Sequence, residues 1–116
     1  MSNIILLKSK IHNAIVTATN LEYEGSIEID RNLIDAAGLV PFEKVHVLNI
    51  NTGSRLETYV IEGQRGSGII ALNGAAARAA QPGDRLIILS YAIVEEKDQP
   101  DWQPIIIKVD AQNRPI

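Results

Sequence analysis

The apolar residues of this chain come in short β-branched runs, and turn-forming residues stand between most of them. Such runs suit strands and are too short for a bilayer-spanning segment. The pattern predicts strands over Ile4–Leu7, Ile11–Ala18, Ser26–Ile29, Lys44–Ile50, Leu56–Ile61, Ile69–Leu72 and Arg85–Val94. Asn51-Thr52-Gly53 reads as a hairpin turn and Gln81-Pro82-Gly83-Asp84 as a second turn. Asp30 has the chemistry of a helix N-cap and Gly38 that of the residue just past a helix end, which frames a short helix over about Arg31–Ala37. Asn73–Ala80 is an Ala-rich loop with a helical turn, Glu95–Asp101 a polar connector, and Pro104–Val109 a final edge strand.

Pro41-x-Glu43-Lys44-Val45-x-Val47-Leu48 recurs as Pro82-x-Asp84-Arg85-Leu86-x-Ile88-Leu89, 41 residues later. Two origins fit the pattern: chance likeness between two turn-then-strand units, or a barrel with internal pseudo-twofold symmetry. A closed barrel would leave no exposed strand edges.

Composition narrows the function classes. The chain has 116 residues, one domain's worth, and is 46% hydrophobic, enough for a core. Aromatics are only 4% and the net charge is −3, so neither base-stacking platforms nor a basic field for phosphates is present, and no nucleic acid is expected as a partner. Without cysteine there is no thiolate nucleophile and no cysteine-bound zinc, and His12 and His46 alone do not make a metal site. No signal-like N-terminus and no long apolar segment is visible, so the expectation is a cytoplasmic protein with no membrane partner.

Tyr23-Glu24-Gly25-Ser26 falls where one strand should turn into the next. A serine hydroxyl there can attack the preceding carbonyl, break the chain and leave a new carbonyl on its own residue. That would give a chain this plain a cofactor made from its own backbone. The bland alternative is an ordinary turn.

These residues, in their order, resemble the pyruvoyl-dependent aspartate 1-decarboxylases. The likeness rests on Tyr23-Glu24-Gly25-Ser26, Ile29-Asp30, Asp35-Ala36-Ala37-Gly38, Thr58-Tyr59, Arg65-Gly66-Ser67, Asn73-Gly74-Ala75-Ala76-Ala77, Pro82-Gly83-Asp84 and Gln103-Pro104. It implies a mainly β double-psi β-barrel with short helices, assembled as a homotetramer with sites between subunits. It implies conversion of L-aspartate to β-alanine and CO2, supplying pantothenate and coenzyme A synthesis. The single domain 1–116 would cleave itself between Gly25 and Ser26 into residues 1–25 and 26–116. Ser26 would become the pyruvoyl group that forms a Schiff base with substrate. A maturation factor is left open.

By the same resemblance Thr58 is the oxyanion donor during cleavage and Tyr59 the general acid. Arg55 and Lys10 are the cations for substrate carboxylates, and Asn73, Gly74, Ala75 and Ala76 form a loop against the pyruvoyl group. Tyr23 and His12 support. Adjacent strand residues such as Thr58 and Tyr59 face opposite ways, so one site can use both only if the strand twists or the site lies between subunits. Gly25 is expected to use glycine's freedom for strained backbone angles, and Arg65, Arg78 and Arg85 to be surface or salt-bridge residues. Leu48 stands where many relatives carry a bulkier aromatic. The contrasting reading, from another class, is a non-catalytic barrel module for assembly or small-anion binding.

Overall fold

A computed structural model describes residues 2–116. In chain order its elements are β1 (Asn3–Ile15), β2 (Ala18–Asn20), β3 (Ser26–Asp30), α1 (Arg31–Ala37), β4 (Lys44–Asn49), β5 (Arg55–Gly63), β6 (Ile70–Asn73), a 3-10 helix (Gly74–Ala79), β7 (Arg85–Glu95), a second 3-10 helix (Glu96–Asp101) and β8 (Ile105–Lys108). The strands form one sheet in the order β2-β6-β3-β5-β4-β7-β1-β8. Only Val16 and Thr17 separate β1 from β2, so one stretch of chain supplies both sides of the seam. Across that gap Val16 N–H donates to Asp84 O and Thr17 N–H to Ile70 O. The sheet thereby closes on itself as a double-psi barrel, with β8 lying parallel to β1 outside the ring.

The 41-residue repeat corresponds to real symmetry. It takes Val47 to Ile88, and these two residues face each other in the antiparallel β4·β7 pair. Residues equivalent by a twofold axis meet in this way only when the axis passes between them. A second antiparallel pair, β3·β6, and the β1·β7 and β4·β5 pairs complete the pattern.

The core is aliphatic. Ile11, Ile27, Ile29, Leu33, Ile34, Val45, Val47, Val60, Ile70, Leu72, Leu86 and Ile88 are buried. Burying each such side chain contributes about 1.5–3 kcal/mol relative to exposure. Alternate residues of β4 and β7 therefore point outward, and lateral pairing sets them in rows. His12, Ile87, Leu48 and Arg55 make one row across β1, β7, β4 and β5, and Lys10, Leu89, His46 and Glu57 make the next.

One expected break is absent. Ile4–Leu7 and the following run are a single strand, β1, carrying register shifts between Leu7 and Ser9 and between His12 and Ala14. The first shift frees Lys8 to reach Glu43 at 2.9 Å. The second, with Asn13 at φ 69°, brings both Ile11 and Ala14 to the interior despite their odd spacing. The end of the expected strand is the separate β2, and the polar connector is the second 3-10 helix.

Asp30 caps α1, accepting from Asn32 N–H at 2.8 Å, and Gly38 ends it at φ 69°. The same carboxylate accepts from Gly66 N–H and Gly68 N–H, so it ties the helix start to the β5–β6 loop. Burial pushes its pKa up, but those three N–H donors and the nearby Arg114 charge outweigh that and hold it below the usual carboxylate range. Near the seam, Asp84 accepts from Asn49 Nδ2 and Gln81 N–H, and its carboxyl is likewise held low, first by Asn49. Among the described residues no helix is long and apolar enough to cross a membrane.

Candidate active site

The Gly25-Ser26 bond straddles the barrel rim. Gly25 is exposed, whereas Ser26 opens β3 and is 1% exposed. Ser26 pairs with Asn73 at the end of β6. Asn73 Nδ2 donates to Ser26 Oγ at 3.1 Å, and the hydroxyl itself points to Glu24 O at 3.5 Å, the limit of a hydrogen bond. Asn73 stands at the N-cap position of the first 3-10 helix but makes no capping bond there. Its amide is committed to the serine instead.

The glycine requirement lies at Gly74 and not at Gly25. Gly25 is absent from the residues at positive φ, and a Cβ on it would meet only Asn73 O at 4.0 Å. The expectation of strained angles at Gly25 is therefore corrected. Gly74 has φ 64°, and a Cβ there would sit 2.7 Å from both N and Cα of Gly25. The absent side chain lets the two loops pack backbone against backbone.

A cavity of about 550 Å³ opens beside this bond, lined by Gly25, Leu56, Glu57, Thr58, Tyr59, Ala75, Ala76, Arg78 and Ala79. Thr58 and Tyr59 both reach it, although they are neighbours on one strand. In the parallel β3·β5 pair Ile27 stands opposite Val60. Continuing that register one step back would set Ser26 beside Tyr59, and two steps back Gly25 beside Thr58. The pairing stops at Ile27, the strands part, and the open edge of β5 presents four consecutive residues to the cavity.

The facing wall follows from helix type. In a 3-10 helix residues three apart eclipse one another. Ala75 stacks with Arg78 and Ala76 with Ala79, and these four line the cavity. Arg78, expected on the surface or in a salt bridge, is exposed and is at the same time the cation in the wall. The missing signal was the helical period. An α-helical period would have grouped Arg78 with Gly74, whereas the Ala-rich run and the threefold period together would have located it.

The other expected residues lie elsewhere. Lys10 and Arg55 are not among the lining residues and belong to the two outward rows on the barrel face. His12 shares the Arg55 row, and its Nδ1 is buried without a hydrogen-bond partner. Tyr23 is 54% exposed and contributes its backbone, not its ring, to the packing around Gly74. Leu48 sits between Ile87 and Arg55 on the outer face. Tyr59 has one aromatic neighbour, Phe42, with ring centroids 6.3 Å apart.

The fold and the site together define a small double-psi barrel whose rim cavity is built around a buried serine and the peptide bond before it. A family model described as aspartate decarboxylase matches residues 2–116. An aspartate 1-decarboxylase of Carboxydothermus hydrogenoformans is 59% identical over 94% of this chain and 86% of its own length. One of Thermoanaerobacter pseudethanolicus is 56% identical over 96% and 95%, and one of Leptospira biflexa 55% over 97% and 96%. The chain belongs to the aspartate decarboxylase family.

Proposed function

We propose that this chain cleaves itself between Gly25 and Ser26 and that the product decarboxylates L-aspartate to β-alanine. The observation that carries the reading is the placement of a buried, hydrogen-bonded Ser26 hydroxyl next to a cavity lined by Gly25, Thr58 and Tyr59. It favours an enzyme over a barrel used only for assembly or anion binding, which has no need of that arrangement.

In the cleavage step Ser26 Oγ attacks the Gly25 carbonyl carbon. The amide C–N bond breaks, an ester forms, and the hydroxyl proton passes to the departing amine. Asn73 holds the hydroxyl in place, which removes much of the entropic barrier. Thr58 supplies the hydroxyl donor for the oxyanion of the tetrahedral intermediate. Loss of the Cα proton and of the Gly25 carboxylate then leaves an alkene on residue 26, and water replaces its amine as ammonia. Residues 1–25 and 26–116 stay together, because β1 and β2 are built into the sheet.

The surroundings fit the pyruvoyl group so formed. Residue 26 is enclosed, Asn73 Nδ2 points at its side chain, and Gly74 keeps the neighbouring loop free of a side chain. That group supplies a carbonyl that takes up the substrate amine and accepts the electron pair released when the α-carboxylate leaves. Tyr59 holds a phenolic proton at the cavity wall for delivery to Cα, while Ala75 and Ala76 leave room for the substrate.

Lys10, His12 and Arg55 reach the reaction through assembly. They lie on the outer face, and a neighbouring copy in a homotetramer brings that face to the rim cavity. Exposed Ile5 and Ile93, which pair across β1 and β7, support burial of this surface in an oligomer. Intracellular pantothenate synthesis is the proposed setting, with a maturation factor as an optional partner of the cleavage step.

The test is formation of β-alanine and CO2 from L-aspartate by the purified protein. The reading requires stoichiometric product from the cleaved parent and none from Ser26→Ala. A cleaved parent that yields neither product overturns it.

A further inference from the structure

We propose that Arg78 grips the side-chain carboxylate of the substrate and so sets the preference for an acidic amino acid; the inference rests on the decarboxylase reading above. Arg78, an exposed residue, is the one positively charged residue that a single chain contributes to the cavity lining. The one negatively charged lining residue, Glu57, faces Lys44 at 3.6 Å and His46 Nε2 at 3.4 Å. Among the described residues no carboxylate lies within 4.0 Å of the Arg78 guanidinium and no side-chain hydrogen bond engages it. Arg31 and Arg65, by contrast, both pair with Asp35. Arg78 also borders an adjoining polar opening with Asp84. The Asp84 carboxylate is taken up by Asn49 and Gln81 and leaves the guanidinium free.

The reaction decides which carboxylate the guanidinium should hold. The α-carboxylate leaves as neutral CO2, so a cation bound to it stabilises the ground state more than the transition state and slows the step. The side-chain carboxylate keeps its charge from substrate to product. A guanidinium there binds substrate, transition state and product alike, and its planar fork suits a bidentate grip. Eclipsing of Arg78 over Ala75 in the 3-10 helix leaves only small side chains beside it on that wall.

Uniform binding has a signature that simple loss of structure lacks. In Arg78→Ala the KM for L-aspartate and the dissociation constant of β-alanine should rise together, by about 10- to 100-fold. The value of kcat should stay within about threefold of the parent. Arg78→Lys should recover part of both losses. Intact mass checks that each variant is cleaved like the parent, and calorimetry with β-alanine measures binding without turnover. A β-alanine dissociation constant within about twofold of the parent in Arg78→Ala overturns the proposal, as does a fall in kcat with KM unchanged. Failure of the cleaved parent to make β-alanine strikes the decarboxylase reading instead, and the β-alanine dissociation constants then decide the role of Arg78 alone.

Discussion

Ser26 depends on a single side-chain donor. Asn73 Nδ2 at 3.1 Å is the group that fixes its hydroxyl, so Asn73→Ala should leave the barrel folded but slow cleavage by about 10²-fold. A time course of intact mass checks this, and cleavage at the parent rate would remove Asn73 from the mechanism. Gly74→Ala should be more damaging than Gly25→Ala. Its Cβ meets the Gly25 backbone at 2.7 Å and its φ of 64° is unfavourable, whereas Gly25 has open space. We expect a loss of about 1–3 kcal/mol at Gly74, read by denaturant unfolding, against a smaller effect at Gly25. Tyr59→Phe should keep cleavage and cut kcat by about 10²-fold or more, since only the phenolic proton is lost. Rapid turnover in that variant would assign the proton to another group.

Two aspartates pin elements together, and loss of their charge should weaken the fold in acid. Asp30 joins α1 to the β5–β6 loop, and Asp84 joins the Gln81–Asp84 turn to Asn49 at the end of β4. Both carboxyls have folded-state pKa values below their unfolded ones. A depressed carboxyl contributes stability that is fully present above its unfolded pKa, near 4. That stability is lost as pH falls through the lower folded value. Thermal unfolding should therefore be flat in these contributions at neutral pH and weaken below about pH 4. Asp30→Asn should show less of that acid loss while being less stable at pH 7. An unchanged acid profile in Asp30→Asn would mean that other carboxylates control it.

At this scale much was legible in the sequence. Asp30 and Gly38 marked both ends of α1 because capping is local chemistry. Thr58 and Tyr59 line one cavity with Gly25, but the reason is not visible in the sequence. It lies in where the β3·β5 pairing stops, a long-range fact that no local pattern carries. The continuity of β1 was hidden likewise, because its bulges are set by its partner strand β7. The place of Arg78 in the cavity wall is not legible in the sequence because short helical turns do not announce their period.

The three cations proposed to meet the substrate lie in two places. Arg78 lines the rim cavity, while Lys10 and Arg55 lie on the outward rows of the sheet. If the outer face of one copy completes the cavity of another, two damaged chains should complement each other. Co-assembled Ser26→Ala and Arg55→Ala chains should regain part of the parent activity, because some sites then combine an intact Ser26 with an intact Arg55. Mixed oligomers no more active than Arg55→Ala alone would place Arg55 outside a shared site.

The account turns on whether the chain breaks at one peptide bond. Intact mass under denaturing conditions answers this directly. The account predicts two fragments, residues 1–25 and 26–116, the larger lighter by one ammonia than a serine-terminated chain. A single 116-residue species that survives prolonged warming uncleaved would contradict it.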